Sequence, residues 1–271
     1  MNKRNYYYLI AGLPDIVLEQ SKAPFSLAEL LAELQARLHP DDFALVERLF
    51  LPHDNRNLLQ LTLKKEGPWD PLGRYPREEL EEKLKEPGQL PAYMDQFYQA
   101  YRLDAPMWKG HSWEHQLTRL YYDYVLAHSE GFLHDWFTFD RNLKNILVAW
   151  NARAYELPLQ GQLLGADDLT NALQKSHARD FGLSRDVDFL EKLLNVLERD
   201  DPMERERAVD HLRWNYIDAL NTFHYFTVEI VLGYLLKFRL LERWLRLDPE
   251  NGTAALKQRL QELEESVDID G

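Results

Sequence analysis

The chain has no cysteine among its 271 residues, so disulfides, thiolate zinc sites and a cysteine nucleophile are excluded, and a reducing compartment is the natural setting. Glycine and proline are sparse, at 12 and 13, which leaves long stretches free of helix breakers. Basic residues are outnumbered, 32 against 45 acidic, for a net charge of −13. A phosphate-binding surface needs clustered Lys and Arg, so nucleic acid is not an expected partner, and the acidic total also disfavours anionic lipid. Long apolar runs are missing too. The most apolar stretch, Phe223 to Leu241, carries His224, Glu229, Lys237 and Arg239, each costly in hydrocarbon, and reads as a buried helix rather than a membrane span. The start, MNKRNYYYLIAGLPDI, is a poor signal peptide because Gly12, Pro14 and Asp15 interrupt its apolar patch.

What is present is helical. Hydrophobic residues make up 45% of the chain and charged residues 28%, enough for a substantial core. Ser26-Leu-Ala-Glu29 is a capping box opening a helix that stops before His39-Pro40. Further helices are expected over Asp42 to Leu51, Asn55 to Lys65, and the charged REELEEKLKE that ends at Pro87-Gly88. Tyr93, Met94, Phe97, Tyr98 and Tyr101 form an aromatic stripe at helical spacing, best explained by core packing. Helices follow near Trp113 to His128, Phe132 to Glu156, Asp168 to Arg179, and Asp186 to Arg199 with Ser184 as cap.

Val209, Leu212, Tyr216, Ala219, Phe223, Phe226 and Ile230 keep a 3-4 spacing, with Gly233 as the one break candidate between Pro202 and Leu247. Unbroken from 209 to 245, that helix would run roughly 55 Å. A last helix, TAALKQRLQELEE, and an acidic tail, VDIDG, close the chain. No strand is convincing; Leu58 to Leu63 is the best candidate. The expectation is an all-α multi-helix bundle forming a single helical domain over 1–271.

Three segments share an acidic residue, a nearby Asn and an apolar helical run. They are HDNRNLLQLTLKK with Asp54 and Asn57, FDRNLKNILVAWNARAY with Asp140, Asn142 and Asn145, and IDALNTFHYFTVEI with Asp218 and Asn221. A charged amphipathic helix lies downstream of each. Asn57, Asn142 and Asn221 recur at intervals of about 80 residues, which suggests three weakly similar units near 1–104, 105–200 and 201–271, packed around a pseudo-threefold axis or stacked as an open array. The three acids read as repeated caps or inter-helix hydrogen bonds rather than as catalytic groups.

The stretch HDWFTFDRNLKNILVAWNARAYEL resembles the polar-apolar helix of the C/d family of V-type ATPase central-stalk proteins, designated C in bacteria and archaea and d in eukaryotes. The order of elements is similar as well, from the tyrosine-rich NYYYLIAGL to the closing LLKFRLLERW. The resemblance implies a non-catalytic rotor adaptor without cofactor, cytoplasmic and peripheral to the inner membrane. Its partners would be the membrane ring and the axle subunits of a rotary ATPase.

Other chemistry is thin. His111-Ser-Trp-Glu114-His115 matches the H-x-x-E-H pattern, in which His111 and His115 reach a metal one helical turn apart and Glu114 serves as general base. A zinc-dependent hydrolase on this motif needs a third ligand, nominally Glu130, Asp135 or Glu156. No G-x-x-x-x-G-K, G-x-G-x-x-G or G-x-S-x-G motif is present. Arg239, Arg243 and Arg246 share a helical face and read either as intramolecular pairing or as a dock for an acidic partner. A free-standing helical interaction module is the alternative to the adaptor.

Overall fold

A computed structural model of the chain describes residues 4–199 and 201–247. The described residues form eleven α-helices and no strand, an all-α fold. The TAALKQRLQELEE helix and the VDIDG tail lie outside the described residues. The chain divides into two compact units, one from residues 1–39 and 199–271 and one from 40–198.

The unit 40–198 holds α3 (Pro40–Thr62), α4 (Arg77–Lys83), α5 (Ala92–Arg102), α6 (Trp113–Ala127), α7 (Gly131–Ala154), α8 (Asp168–Lys175) and α9 (Leu190–Leu197). Helix α6 packs against α3, α5 and α7, so the core lies around it. Leu49, Leu58, Met94, Phe97, Leu117, Leu133 and Leu143 are fully buried. Of the aromatic stripe, Tyr93, Met94 and Phe97 face this core, and Phe97 meets Trp113 edge-on at 5.9 Å.

The two helices expected over 42–51 and 55–65 are one, α3, with Pro52 inside it. Proline removes one backbone hydrogen bond, but Leu49, Phe50 and Leu51 before it and Asn57 and Leu58 after it are all buried, and that burial carries the helix through. The strand candidate at Leu58 to Leu63 is the last turn of the same helix, which ends at Thr62, and the first residue beyond it. The helix expected from Asp186 begins only at Leu190, because the Ser184 hydroxyl bonds the side chains of Asp180 (2.5 Å) and Glu191 (3.0 Å) instead of capping a helix.

The second unit holds α1 (Tyr7–Ala11), α2 (Leu27–Arg37), α10 (Pro202–Asn221) and α11 (Val228–Leu247). The Ser26–Glu29 capping box is formed in full at the start of α2. The long helix expected through 209–245 is instead a hairpin, turning at 222–227 rather than at Gly233. Phe223, expected on a buried helical face, is 86% exposed in the turn. Its arms pair antiparallel: Asp210 meets Arg243 at 2.7 Å, and Asp218 meets Lys237. Folding back also seats Phe238 on Phe25, with ring centroids 5.2 Å apart. No helix among the described residues is long and apolar enough to cross a membrane.

Candidate functional site

Three of the polar residues singled out by the repeat pattern, Asp54, Asn57 and Asn145, fasten loops to helices. In the middle of α3, His53, Asp54, Asn55 and Asn57 are all buried. The Asn57 side chain donates to the Asp70 carbonyl (3.0 Å) and accepts from the Asp70 N–H (2.9 Å), clasping one residue of the loop 63–76 by both its main-chain groups. Asp54 accepts the Arg74 N–H at 2.7 Å. The Asp70 carboxylate bonds His53 Nδ1 at 2.8 Å and also pairs with Arg56, while the Tyr93 hydroxyl donates to Asn55 at 2.6 Å. Only glycine fits at position 73: a Cβ there would lie 2.5 Å from Asn57 Nδ2 and 3.1 Å from Asp54 Oδ1.

Two buried carboxyls, Asp54 on α3 and Asp70 in the loop it holds, are treated differently. Burial pushes Asp54 up to about 6, against the pull of the Arg74 and Tyr75 N–H groups and the Arg74 charge. Burial also pushes Asp70 upward, but the His53 hydrogen bond, the Leu72 N–H and the charges of His53 and Arg56 together outweigh it and hold that carboxyl below its ordinary value.

Helix α7 repeats the clasp. Asn145 donates to the Leu164 carbonyl and accepts from the Leu164 N–H, both at 2.8 Å. The counterpart of Asn57 is therefore Asn145. Asn142, the asparagine that set the sequence interval, is only half-buried and receives a 3.4 Å contact from Arg141. Asp140 bonds the Tyr122 hydroxyl (2.5 Å) and Lys144 (3.3 Å), and Arg141 pairs with Asp167 at 2.5 Å beside Gly165.

In the hairpin of the other unit, Asn221 packs on Gly233, where a Cβ would overlap its Nδ2 and fall 3.1 Å from Ile217 Cγ2. Each of these three asparagines thus precedes a Leu-Gly dipeptide, at 72–73, 164–165 and 232–233, and the chain contains no other Leu-Gly. That shared dipeptide was the legible signal the repeat pattern passed over. In exposed helix, Gly→Ala gains about 1 kcal/mol. At position 233 the overlap with Asn221 and Ile217 reverses the sign, and Gly233→Ala is expected to cost about 1–3 kcal/mol in urea unfolding. In an Asn221→Ala background only the 3.1 Å approach to Ile217 Cγ2 remains, and the cost of the same change should shrink.

At the H-x-x-E-H motif, the His111 and His115 rings stack at 5.0 Å, and Ser112 caps α6 by accepting the His115 N–H. Glu114 does not attend the histidines. It pairs with Lys65 at 2.5 Å, and that hydrogen bond holds its carboxyl below the ordinary value. Among the described residues no group of three or more His, Cys, Asp or Glu comes together to hold a metal ion, so Glu130, Asp135 and Glu156 complete no such group. In the arginine cluster, Arg243 pairs with Glu206 and Asp210, Arg246 with Glu242 at 3.0 Å, and Arg239 is not free either. His224 is half-buried, 3.7 Å from Glu229.

The unit built on α10 and α11 also shows an exposed aromatic cluster. Tyr8 is 92% exposed, Tyr225 70% and Tyr7 54%; Tyr7 meets Phe226 at 4.6 Å, and the Tyr6 N–H bonds the Phe226 carbonyl.

Fold and side chains together define an all-helical protein whose buried asparagines grip main chain and approach glycine. The chain belongs to the family described as "Protein of unknown function (DUF2764)", whose model matches residues 1–267. No curated protein and no solved structure matches it.

Proposed function

We propose that this protein is a non-catalytic adaptor similar to the C/d rotor proteins of V-type ATPases, joining a membrane ring to a central axle. The observation that carries the reading is the recurrence of one device. Asn57 and Asn145 each sit on a long helix and clasp the N–H and carbonyl of one following loop residue, Asp70 and Leu164, through the same pair of hydrogen bonds, and Asn221 packs on Gly233. Three units of common design are what the family resemblance requires. A body that transmits torque needs loops pinned to helices, and Asn57 and Asn145 pin two of them. The acidic side chains Glu114, Asp54 and Asp218 are engaged in structure: Glu114 with the Lys65 ammonium, Asp54 with the Arg74 main-chain N–H, Asp218 with the Lys237 ammonium.

Tagged at native expression level, the protein is expected to copurify with ring and axle subunits of a rotary ATPase; recovery without either refutes the adaptor. The alternative is a free-standing helical interaction module. The exposed cluster of Tyr7, Tyr8, Phe223, Tyr225 and Phe226 favours some covering partner under either reading. The same purification separates them, since the module brings down a partner unrelated to an ATPase.

A further inference from the structure

Asp54 is 2% exposed, and among the described residues no cation contacts its carboxylate. The nearest guanidinium, Arg74, reaches out to Glu47 at 3.4 Å, and Arg56 is committed to Asp70. On α3 itself, Glu47 adds a negative charge nearby. From α5 comes only the neutral, buried Tyr93 hydroxyl, spent on Asn55. From the α4 side the Lys83 ammonium lies over the Tyr75 ring, 5.4 Å from its centroid, with Glu79 also near that ring. The ionised Asp54 therefore has main-chain N–H groups as its contacts, and those N–H groups belong to the loop 63–76.

We propose that this loop is a pH-operated latch, held tightly on α3 while the Asp54 carboxyl is protonated and loosened when that carboxyl ionises. Opening the loop lets water reach the carboxylate, whereas closing it buries the charge, so ionisation favours the open state. The direction follows from proton counts. Closed, the group keeps its proton up to about pH 6; open, it returns to the ordinary aspartate value of 3.8. Between those values the closed state binds more protons, and raising the pH through the window favours opening. Asp70 does not oppose this, because His53 and Arg56 keep it charged in the closed state.

The test is amide hydrogen exchange from pH 5 to pH 8, expressed as protection relative to intrinsic exchange, at Asp70, Gly73 and Arg74. Protection is expected to fall about tenfold, the remainder of the proton linkage over that range. Leu164, gripped by Asn145 without such a carboxyl, should not follow. Asp54→Asn should flatten the response. Protection that is constant in the wild type, or that still falls in Asp54→Asn, overturns the latch. Should that variant fail to fold, the carboxyl ¹³C titration of wild-type Asp54 decides: a midpoint near 6 supports the proposal, and one near 4 overturns it.

Discussion

Asn145→Ala is expected to destabilise the unit 40–198 by about 3 kcal/mol, because it strands two buried main-chain groups at once, each costing roughly 1–3 kcal/mol when unpaired. Asn145 is 1% exposed and Leu164 6%, so water cannot readily replace the lost amide. The geometry leaves little room for substitutes. An aspartate at this position would keep the acceptor for the Leu164 N–H but set a carboxylate against the Leu164 carbonyl; a glutamine would carry its amide past both groups. Asn145→Asp should therefore be at least as damaging as alanine. The control is Asn142→Ala, one turn earlier on the same helix, where a half-buried side chain with a single 3.4 Å contact should change stability by less than about 0.5 kcal/mol. Urea unfolding of the three variants, with exchange at the Leu164 amide as local readout, checks the prediction. Equal effects at 142 and 145 would remove the clasp as the structural device of this unit.

Much of the helical content is legible locally, because its determinants are local. The Ser26–Glu29 box depends on residues three apart, and the stripe through Tyr93 and Phe97 on one helical face. Local patterns mislead where distant residues decide. A 3-4 apolar spacing runs through Phe223 and Phe226 without interruption, and periodicity cannot tell a continuing helix from one that folds back. The arms of the hairpin meet through pairs such as Asp218 with Lys237, invisible to any window along the chain. Proline at 52 looks like a boundary from its neighbours alone, yet burial on both sides holds α3 together. The H-x-x-E-H spacing is plain, but the glutamate's partner, Lys65, lies 49 residues away.

The repeat is a mixed case. Its acids and asparagines are visible in the sequence, but the choice between Asn142 and Asn145 requires knowing which side chain faces a loop. Gly233 has the look of a helix breaker and is instead the place where Asn221 approaches the helix most closely.

Asp210→Ala is the other large expected loss, about 3–5 kcal/mol, the range for removing one partner of a buried ion pair. Asp210 is 0% exposed and accepts from Arg213 at 2.5 Å, Arg243 at 2.7 Å and Trp244 Nε1 at 2.9 Å, so one carboxylate ties α10 to α11. The two arginines should not suffer alike. The Arg243 side chain is 41% exposed and keeps Glu206, so its charge can return to water; the Arg213 side chain, 14% exposed, is the one left stranded. Arg243→Met should accordingly cost only about 1–2 kcal/mol, since Asp210 retains a charge-assisted partner and the indole donor. Asp210→Asn should fall between, keeping an acceptor for Trp244 while losing the charge. Urea unfolding followed by exchange protection along α10 and α11 ranks the three. If Arg243→Met proves as costly as Asp210→Ala, the exposed guanidinium rather than the buried carboxylate organises the hairpin.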